Sequence, residues 1–194
     1  AKRLGGFSLE VSLTAHSRRL VIWGHSGAGK SLALRMIAGL AHPDAGRIAV
    51  EGRVLFDYQA RVSLSPQTRG VGLVFQDFAL FPHYSVAQNL AFGLGRALGR
   101  ALLAQPRLLL LDEPFSSLDC GLRARVRQEF AGLVRGLDLP IILVTHDPED
   151  VRALAQEVAV FRQGRCQGAT ALPCSLRLSS PAPDDLLPFL EQAG

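Results

Sequence analysis

The stretch that decides the fold is Gly24-His25-Ser26-Gly27-Ala28-Gly29-Lys30-Ser31, which matches G-x-x-x-x-G-K-[ST] at every fixed position. The apolar residues 20–23 before it predict a strand, and the spacing of apolar residues over 30–40 predicts a helix after it. Glycines let the backbone turn so that N–H groups converge on phosphate oxygens, and the helix N-terminus adds partial positive charge. We therefore predict that this loop binds ATP, with Lys30 on the β- and γ-phosphates and Ser31 on Mg²⁺.

A second acidic motif follows the apolar residues 108–111, which run directly into Asp112-Glu113-Pro114. We expect this strand to lie beside the strand that precedes the glycine-rich loop, because its carboxyl end would then come near the phosphates. Asp112 would hold Mg²⁺, directly or through water, and Glu113 would polarise the attacking water as a general base. An isolated Asp-Glu pair is commonly the start of a surface loop, but the pairing with the phosphate loop favours the functional interpretation.

The alternation of predicted strands and helices indicates an α/β protein with a mainly parallel, wound sheet, as in P-loop NTPases. Strands are predicted at 20–23, 71–75, 108–111, 141–145 and 158–161, and helices at 30–40, 85–92, 97–104, 122–134 and 149–155. The alternating apolar residues of 7–13 and the hairpin pattern around Gly52 predict an antiparallel β subdomain at the N-terminus.

Composition excludes several classes of protein. The chain is 48% hydrophobic and 20% charged, as globular proteins are, and its net charge of +4 comes from scattered residues without a polybasic tract, so no nucleic-acid partner is expected. Cys120, Cys166 and Cys174 form no CxxC pair, which indicates reduced residues in a cytosolic protein. No apolar run is long enough to span a bilayer, so a membrane role requires a partner.

Three further polar residues follow predicted strands or the acidic pair: Gln76 after 71–75, Asp119 in Ser116-Ser117-Leu118-Asp119, and His146 after 141–145. Each is weak alone, because a single Gln or His at a strand end is usually a surface residue. In this order, together with the two motifs above, they resemble the Q-loop, D-loop and H-loop of ABC-transporter ATPases. The resemblance covers most of the chain and implies an ATP-binding domain over 1–168, followed by a tail over 169–194.

The resemblance implies roles for these residues and partners for the chain. Gln76 would contact Mg²⁺ and water and sense the membrane partner, His146 would contact the γ-phosphate, and Asp119 would lie between two ATPase domains. Two copies would sandwich ATP beneath transmembrane permease subunits, fed indirectly by a substrate-binding protein. The chain would then be a peripheral protein at the cytoplasmic face of the cell membrane.

Two features depart from the family. Its signature sequence, close to Leu-Ser-Gly-Gly-Gln, is absent, and only 35 residues lie between Gln76 and Asp112, where the family has a helical subdomain. Either the protein lacks most of that subdomain near 93–96, or the sequence omits a segment and joins its ends; we favour the second interpretation. The family often stacks adenine on an aromatic residue near the N-terminus, where this chain has Leu4 with Phe7 nearby.

The stretches 52–57, 62–66, 74–77 and 80–83 look most similar to the ATPases of molybdate/tungstate importers, although ATPases for sulfate, iron or other substrates carry similar segments. Another alternative is a nucleotide-binding module with little hydrolysis, if the signature is truly missing. ABC-type ATPases of DNA repair or ribosomes usually carry coiled-coil arms or tandem domains, which this chain does not show. A P-loop kinase would leave Gln76, Asp119 and His146 without a role.

Overall fold

A computed structural model describes residues 1–74, 94–173, 188 and 190 of the chain. The helices are α1 (Lys30–Ala38), α2 (Pro66–Arg69), α3 (Leu94–Leu103), α4 (Cys120–Arg135) and α5 (Pro148–Leu154). The strands are β1 (Lys2–Leu4), β2 (Phe7–Ser12), β3 (Arg19–Trp23), β4 (Arg47–Val50), β5 (Arg53–Asp57), β6 (Val62–Ser63), β7 (Val71–Val74), β8 (Leu108–Asp112), β9 (Ile141–Thr145), β10 (Glu157–Val160), β11 (Arg165–Gln167) and β12 (Thr170–Ala171).

The central sheet has the strand order β12-β10-β3-β9-β8-β7, in which β10, β3, β9, β8 and β7 run parallel and β12 pairs antiparallel at one edge. The predicted α/β class and mainly parallel wound sheet are therefore confirmed. One expectation about this sheet is wrong: β8 does not lie beside β3, because β9 lies between them. Sequence spacing cannot reveal the lateral order of strands that are joined by long crossover connections.

Side chains alternate between the two faces along each strand of the central sheet, and other elements of the chain cover both faces. On one face the strands pack with β2 and with apolar side chains of α1, namely Ala33, Leu34 and Met36. On the other face they pack with α4 and α5 through Val126, Phe130, Val151 and Leu154. The strand β8 contributes to both faces, which is why its four leucines are all buried.

Two small β sheets lie at the N-terminal side, as predicted. In one, β1 pairs antiparallel with β2, and β11 from the C-terminal part of the chain joins β2 in parallel. The other is the antiparallel sheet β4-β5-β6, with Gly52 at the hairpin between its first two strands. The parallel partner β11 was not predicted, because its three residues show no alternation that separates them from a loop.

The central sheet continues into the segment 169–194, which was predicted to be a tail. Strand β12 pairs with β10, Leu172 is buried, and Leu190 is buried in the same core as α4 and α5. Gln76 and the helix predicted over 85–92 lie outside the described residues. Among the helices that the structure describes, none has the length and apolar character of a membrane span.

Candidate nucleotide-binding site

The glycine-rich loop connects β3 to α1 at the carboxyl edge of the central sheet. His25, Ser26 and Gly27 are exposed at its tip, whereas Gly24 and Ala28 are buried. The turn between β10 and β11 contacts the loop, because the N–H of Gly164 donates to the carbonyl oxygen of Ala28 at 3.2 Å. The loop is therefore held near its C-terminal end while its tip faces solvent.

Two glycines of this loop have left-handed backbone angles, which side-chain-bearing residues rarely adopt. Gly27 has φ of 81° and Gly29, the residue before α1, has φ of 95°. A β-carbon at Gly29 would lie 2.6 Å from Leu9 Cδ1 and 3.0 Å from Phe7 Cζ. The curved loop thus requires glycine at 29 for two separate reasons, conformation and space.

Lys30 is the buried cation of the site. Its ammonium donates to the carbonyl oxygens of Gly24 at 2.7 Å and His25 at 2.9 Å, so it lies inside the curve of the loop. Burial lowers the pKa of the Lys30 ammonium, and the carboxylates of Glu113 and Asp112 counteract that shift. A cation held in this position can neutralise the charge of phosphate groups that the loop binds.

The two residues predicted to ligate Mg²⁺ within the described chain lie in contact. The Ser31 hydroxyl, in the first turn of α1, donates to Asp112 Oδ1 at the end of β8 over 2.9 Å. Asp112 is buried, and burial raises the pKa of its carboxyl while the hydrogen bond from Ser31 lowers it. Although β9 separates β8 from β3, α1 brings Ser31 back across that strand to Asp112.

Glu113 lies between the cation of the loop and His146. Its Oε1 is 3.8 Å from Lys30 Nζ, and its Oε2 is 3.1 Å from His146 Nδ1. The Glu113 backbone has φ of 46°, an uncommon conformation for a residue with a side chain, and its N–H donates to Val144 O of β9. The side chain of His146 is half exposed, whereas that of Glu113 is largely buried.

The remaining predicted residues do not converge on this centre. Asp119 is exposed at the start of α4, where its carboxylate accepts a hydrogen bond from the Leu122 N–H over 3.0 Å. Leu4 is exposed on β1, and Phe7 pairs with it in the register and packs partly buried against the core beside Gly29.

Sequence reasoning missed a cluster of charged residues behind His146. Arg127 of α4 contacts Asp147 and Asp150, and Thr145 donates to Asp150. The signal was present, because Asp147 and Asp150 flank the start of a predicted helix and Arg127 interrupts the apolar face of another. Only the packing of α4 against α5 shows that these residues meet.

A glycine-rich loop that opens a helix at the edge of a parallel sheet, with a strand-end carboxylate on its serine, defines a P-loop NTPase fold. A dimeric solved structure of the ATP-binding cassette MJ0796 bound to ADP and Pi shares this fold with a TM-score of 0.62 and 21% identity. It covers 89% of this chain and 95% of that chain.

A family model described as ABC transporter matches residues 8–97. The molybdate/tungstate import ATP-binding protein WtpC of Archaeoglobus fulgidus is 37% identical over 202 positions, which cover 84% of this chain and 82% of that protein. This chain therefore belongs to the ABC transporter family, among its ATP-binding proteins.

Two other relatives have comparable similarity. The molybdenum import ATP-binding protein ModC of Paramagnetospirillum magneticum is 38% identical, with 84% of this chain and 56% of that protein covered. The Fe(3+) ions import ATP-binding protein FbpC of Mesorhizobium japonicum is 39% identical, with 84% and 54% covered. The chain thus spans about half the length of the first curated relatives that it matches.

The alignments with these relatives have more positions than there are aligned residues in this chain. The alignment with the Paramagnetospirillum protein has 202 positions, although it includes only 84% of 194 residues. Several tens of residues of that relative therefore have no counterpart in this chain.

Proposed function

We propose that this chain binds Mg²⁺-ATP and hydrolyses it as the ATP-binding subunit of an ABC importer for a small anion, molybdate or tungstate. The observation that carries the proposal is the convergence of Lys30, Ser31, Asp112 and Glu113, contributed by α1 and by β8 and the residue after it. The Ser31–Asp112 hydrogen bond of 2.9 Å and the Lys30–Glu113 separation of 3.8 Å bring all four into one site.

The donor set fits Mg²⁺ and a triphosphate. Mg²⁺ prefers oxygen ligands and is usually held by one or two protein groups together with substrate phosphates, and Ser31 and Asp112 supply a hydroxyl and a carboxylate in contact. When bound, the metal neutralises charge on the β- and γ-phosphates. Lys30 adds a second positive charge, and the backbone N–H groups of the loop supply further donors at the N-terminus of α1.

Glu113 is the general base of this proposal and His146 its neighbour. Glu113 would accept the proton of the attacking water, and the His146 ring, 3.1 Å from Glu113 Oε2, would orient that carboxylate and contact the γ-phosphate. Catalysis of phosphoryl transfer is mostly positioning and charge neutralisation, for which a buried, braced site is suited. Gln76, which lies outside the described residues, would contact Mg²⁺ and the attacking water.

The transport part of the proposal rests on the relatives. The WtpC and ModC proteins are named for import of molybdate/tungstate and molybdenum, and the FbpC protein for import of Fe(3+) ions. We place molybdate or tungstate first and iron second as the substrate. Two copies of the chain meet at Asp119 around ATP, beneath permease subunits at the cytoplasmic face of the membrane, with a substrate-binding protein outside.

The test compares Glu113→Gln with the unchanged protein. ATP binding is followed through Trp23, the single tryptophan, whose ring lies 6.0 Å from that of His25 in the loop. Affinity should stay the same, because the amide keeps the shape of the side chain, while hydrolysis should fall by at least ~10²-fold through loss of the base.

Glu129→Gln on α4 is the matched control. Glu129 is exposed, so this substitution removes the same charge at a position away from the site. Hydrolysis in Glu113→Gln at the rate of the control would refute the assignment of the base. If Lys30→Ala also leaves ATP affinity unchanged, the nucleotide site itself is wrong.

A second function is favoured by one observation, the absence of a Leu-Ser-Gly-Gly-Gln segment from the sequence. A chain that truly lacks it would bind ATP without completing the site of a second copy and would turn over little. An intact mass several kDa above 20.9 kDa, with proteolytic peptides that place the extra residues between Gln76 and Asp112, would show that an internal segment exists and favour the importer ATPase. A matching mass, with ATP binding but no hydrolysis, would favour the binding module.

A further inference from the structure

Two arginines of α4 reach the loops on either side of the Glu113–His146 pair. Arg123 and Arg127 are four residues apart in this helix, so their side chains leave from the same face. Their guanidinium groups contact Asp147, the residue directly after His146, from two directions. Neither arginine touches Glu113 or His146 itself in any contact of the described residues.

Arg127 holds the loop that carries His146. Its Nη2 donates to Asp147 Oδ2 at 2.7 Å and its Nε donates to Asp150 Oδ1 at 2.6 Å. The Thr145 hydroxyl donates to the other oxygen of Asp150 at 2.6 Å and accepts from the Asp147 N–H. The residues before and after His146 are thus both anchored to one buried ion-pair cluster.

Arg123 joins that loop to the turn that follows Glu113. Its Nη2 donates to Leu118 O at 2.8 Å, with Ser116 O at 3.4 Å, and its Nη1 lies 3.6 Å from Asp147 Oδ2. The turn in question is tied to Glu113, because the N–H and hydroxyl of Ser116 both donate to Glu113 O.

These contacts close a ring. It runs from Glu113 through the turn 116–118 to Arg123, on to Asp147 and His146, and back to Glu113 through the 3.1 Å contact between His146 Nδ1 and Glu113 Oε2. Within this ring, the Arg123 side chain links the turn 116–118 to the loop of His146, and it acts in addition to the backbone hydrogen bond from the Glu113 N–H to Val144 O. We propose that Arg123 is a positioning residue, which sets the spacing between the general base and His146.

Stability alone does not account for the placement of Arg123. Its ion pair with Asp147 is long and partly exposed, which contributes little to folding. Its Nε is buried without a hydrogen-bond partner among the described residues, an unfavourable arrangement that calls for an explanation. Arg127 differs, because its removal would leave the buried Asp150 carboxylate without its cationic partner, so variants of Arg127 would test folding instead.

The inference rests on the proposed roles of Glu113 and His146, and its first test needs neither nucleotide nor turnover. The chain has five histidines, so the imidazole ¹⁵N signals can be resolved, and His146 is assigned from the signal that disappears in His146→Gln. Arg123→Met should displace the His146 Nδ1 signal in the same direction as Glu113→Gln does. Arg125→Met should leave it in place, because Arg125 is exposed and lies two residues from both Arg123 and Arg127, on the opposite side of the helix.

The second readout is the split between binding and turnover. Arg123→Met should lower kcat by about 10- to 100-fold, the range expected when a catalytic group is displaced without being removed. ATP affinity through Trp23 should stay unchanged, and the melting midpoint should move by no more than about 2–4 °C, as for a partly exposed ion pair.

The outcomes separate the two proposals. An unmoved His146 signal in folded Arg123→Met would overturn the positioning role, even if the protein hydrolyses ATP. If the His146 signal is displaced in Arg123→Met but the unchanged protein does not hydrolyse ATP, the positioning role stands and the proposed hydrolysis is overturned. If Arg123→Met does not fold, Arg123→Lys replaces it, since one ammonium cannot span both loops; an unmoved signal there would also overturn the role.

Discussion

The two left-handed glycines of the phosphate loop allow a prediction in which conformation and packing are separated. Gly27→Ala changes only conformation, because nothing lies within 4 Å of the position that a β-carbon would occupy. A left-handed residue with a β-carbon costs ~1–2 kcal/mol, and the loss of unfolded-state entropy returns ~0.4–1 kcal/mol. Gly27→Ala should therefore lower the free energy of unfolding by ~1 kcal/mol.

Gly29→Ala adds a steric term to the same conformational term. The new β-carbon would lie 2.6 Å from Leu9 Cδ1 and 3.0 Å from Phe7 Cζ, and Leu9 is fully buried, so the core side chains must shift to admit it. Overpacking of this kind costs ~1–3 kcal/mol. We expect a total loss of ~2–4 kcal/mol, which is a large share of the ~5–15 kcal/mol typical of a domain.

Urea unfolding of both variants, followed by circular dichroism, measures the difference. Leu9→Val removes the Cδ1 atom that the alanine would strike, so it should cost less in the Gly29→Ala background than alone. Equal losses for Gly27→Ala and Gly29→Ala, together with additive behaviour of Leu9→Val, would refute the reasoning that Gly29 is required for space.

Two further predictions concern buried charged groups. Asp112→Asn should remove the dependence of ATP affinity on Mg²⁺, because the amide supplies no negative charge beside Ser31; calorimetry with and without Mg²⁺ measures it, and an unchanged Mg²⁺ dependence would count against this ligand. Arg69→Met should lower the free energy of unfolding by ~2–4 kcal/mol, because the buried guanidinium donates to the carbonyl oxygens of Leu64, Met36 and Ile37. Arg53→Met serves as its control: it loses an exposed bond to Thr68 O and a longer, part-buried bond of 3.3 Å to Arg69 O, and should cost less, about 1 kcal/mol. Equal urea midpoints for the two variants would contradict this.

The site assembles at one edge because parallel strands end together. The register pairs Trp23 of β3 with Thr145 of β9, and Asp112 of β8 with Val144 of β9. Each strand therefore delivers its next residues to the same edge: the glycine-rich loop after β3, Glu113 after β8 and His146 after β9. The hydrogen bond from the Glu113 N–H to Val144 O then holds Glu113 beside the end of β9, next to His146.

Much of this could be predicted from the sequence. The phosphate loop was found because its residue types and spacing are themselves the physical requirement, and the apolar runs gave the central strands to within a residue or two. The hairpin around Gly52 followed from local turn chemistry, and the helix predicted over 30–40 ends at Ala38. The errors concerned which strands pair with one another. Strand β8 was expected beside β3, and β11 and β12 were not expected in any sheet.

The sequence by itself determined which residues are suited to hold phosphate, metal and an attacking water, because those requirements are local and are carried by residue type and short spacing. Only the tertiary structure decided the distances between them, since Ser31 and Asp112 are separated by 81 positions and meet across an intervening strand. It also decided that Arg123 ties the turn after Glu113 to the loop of His146. Contacts of this kind depend on how helices and strands pack, and side-chain packing is set by the whole core and not by any one segment.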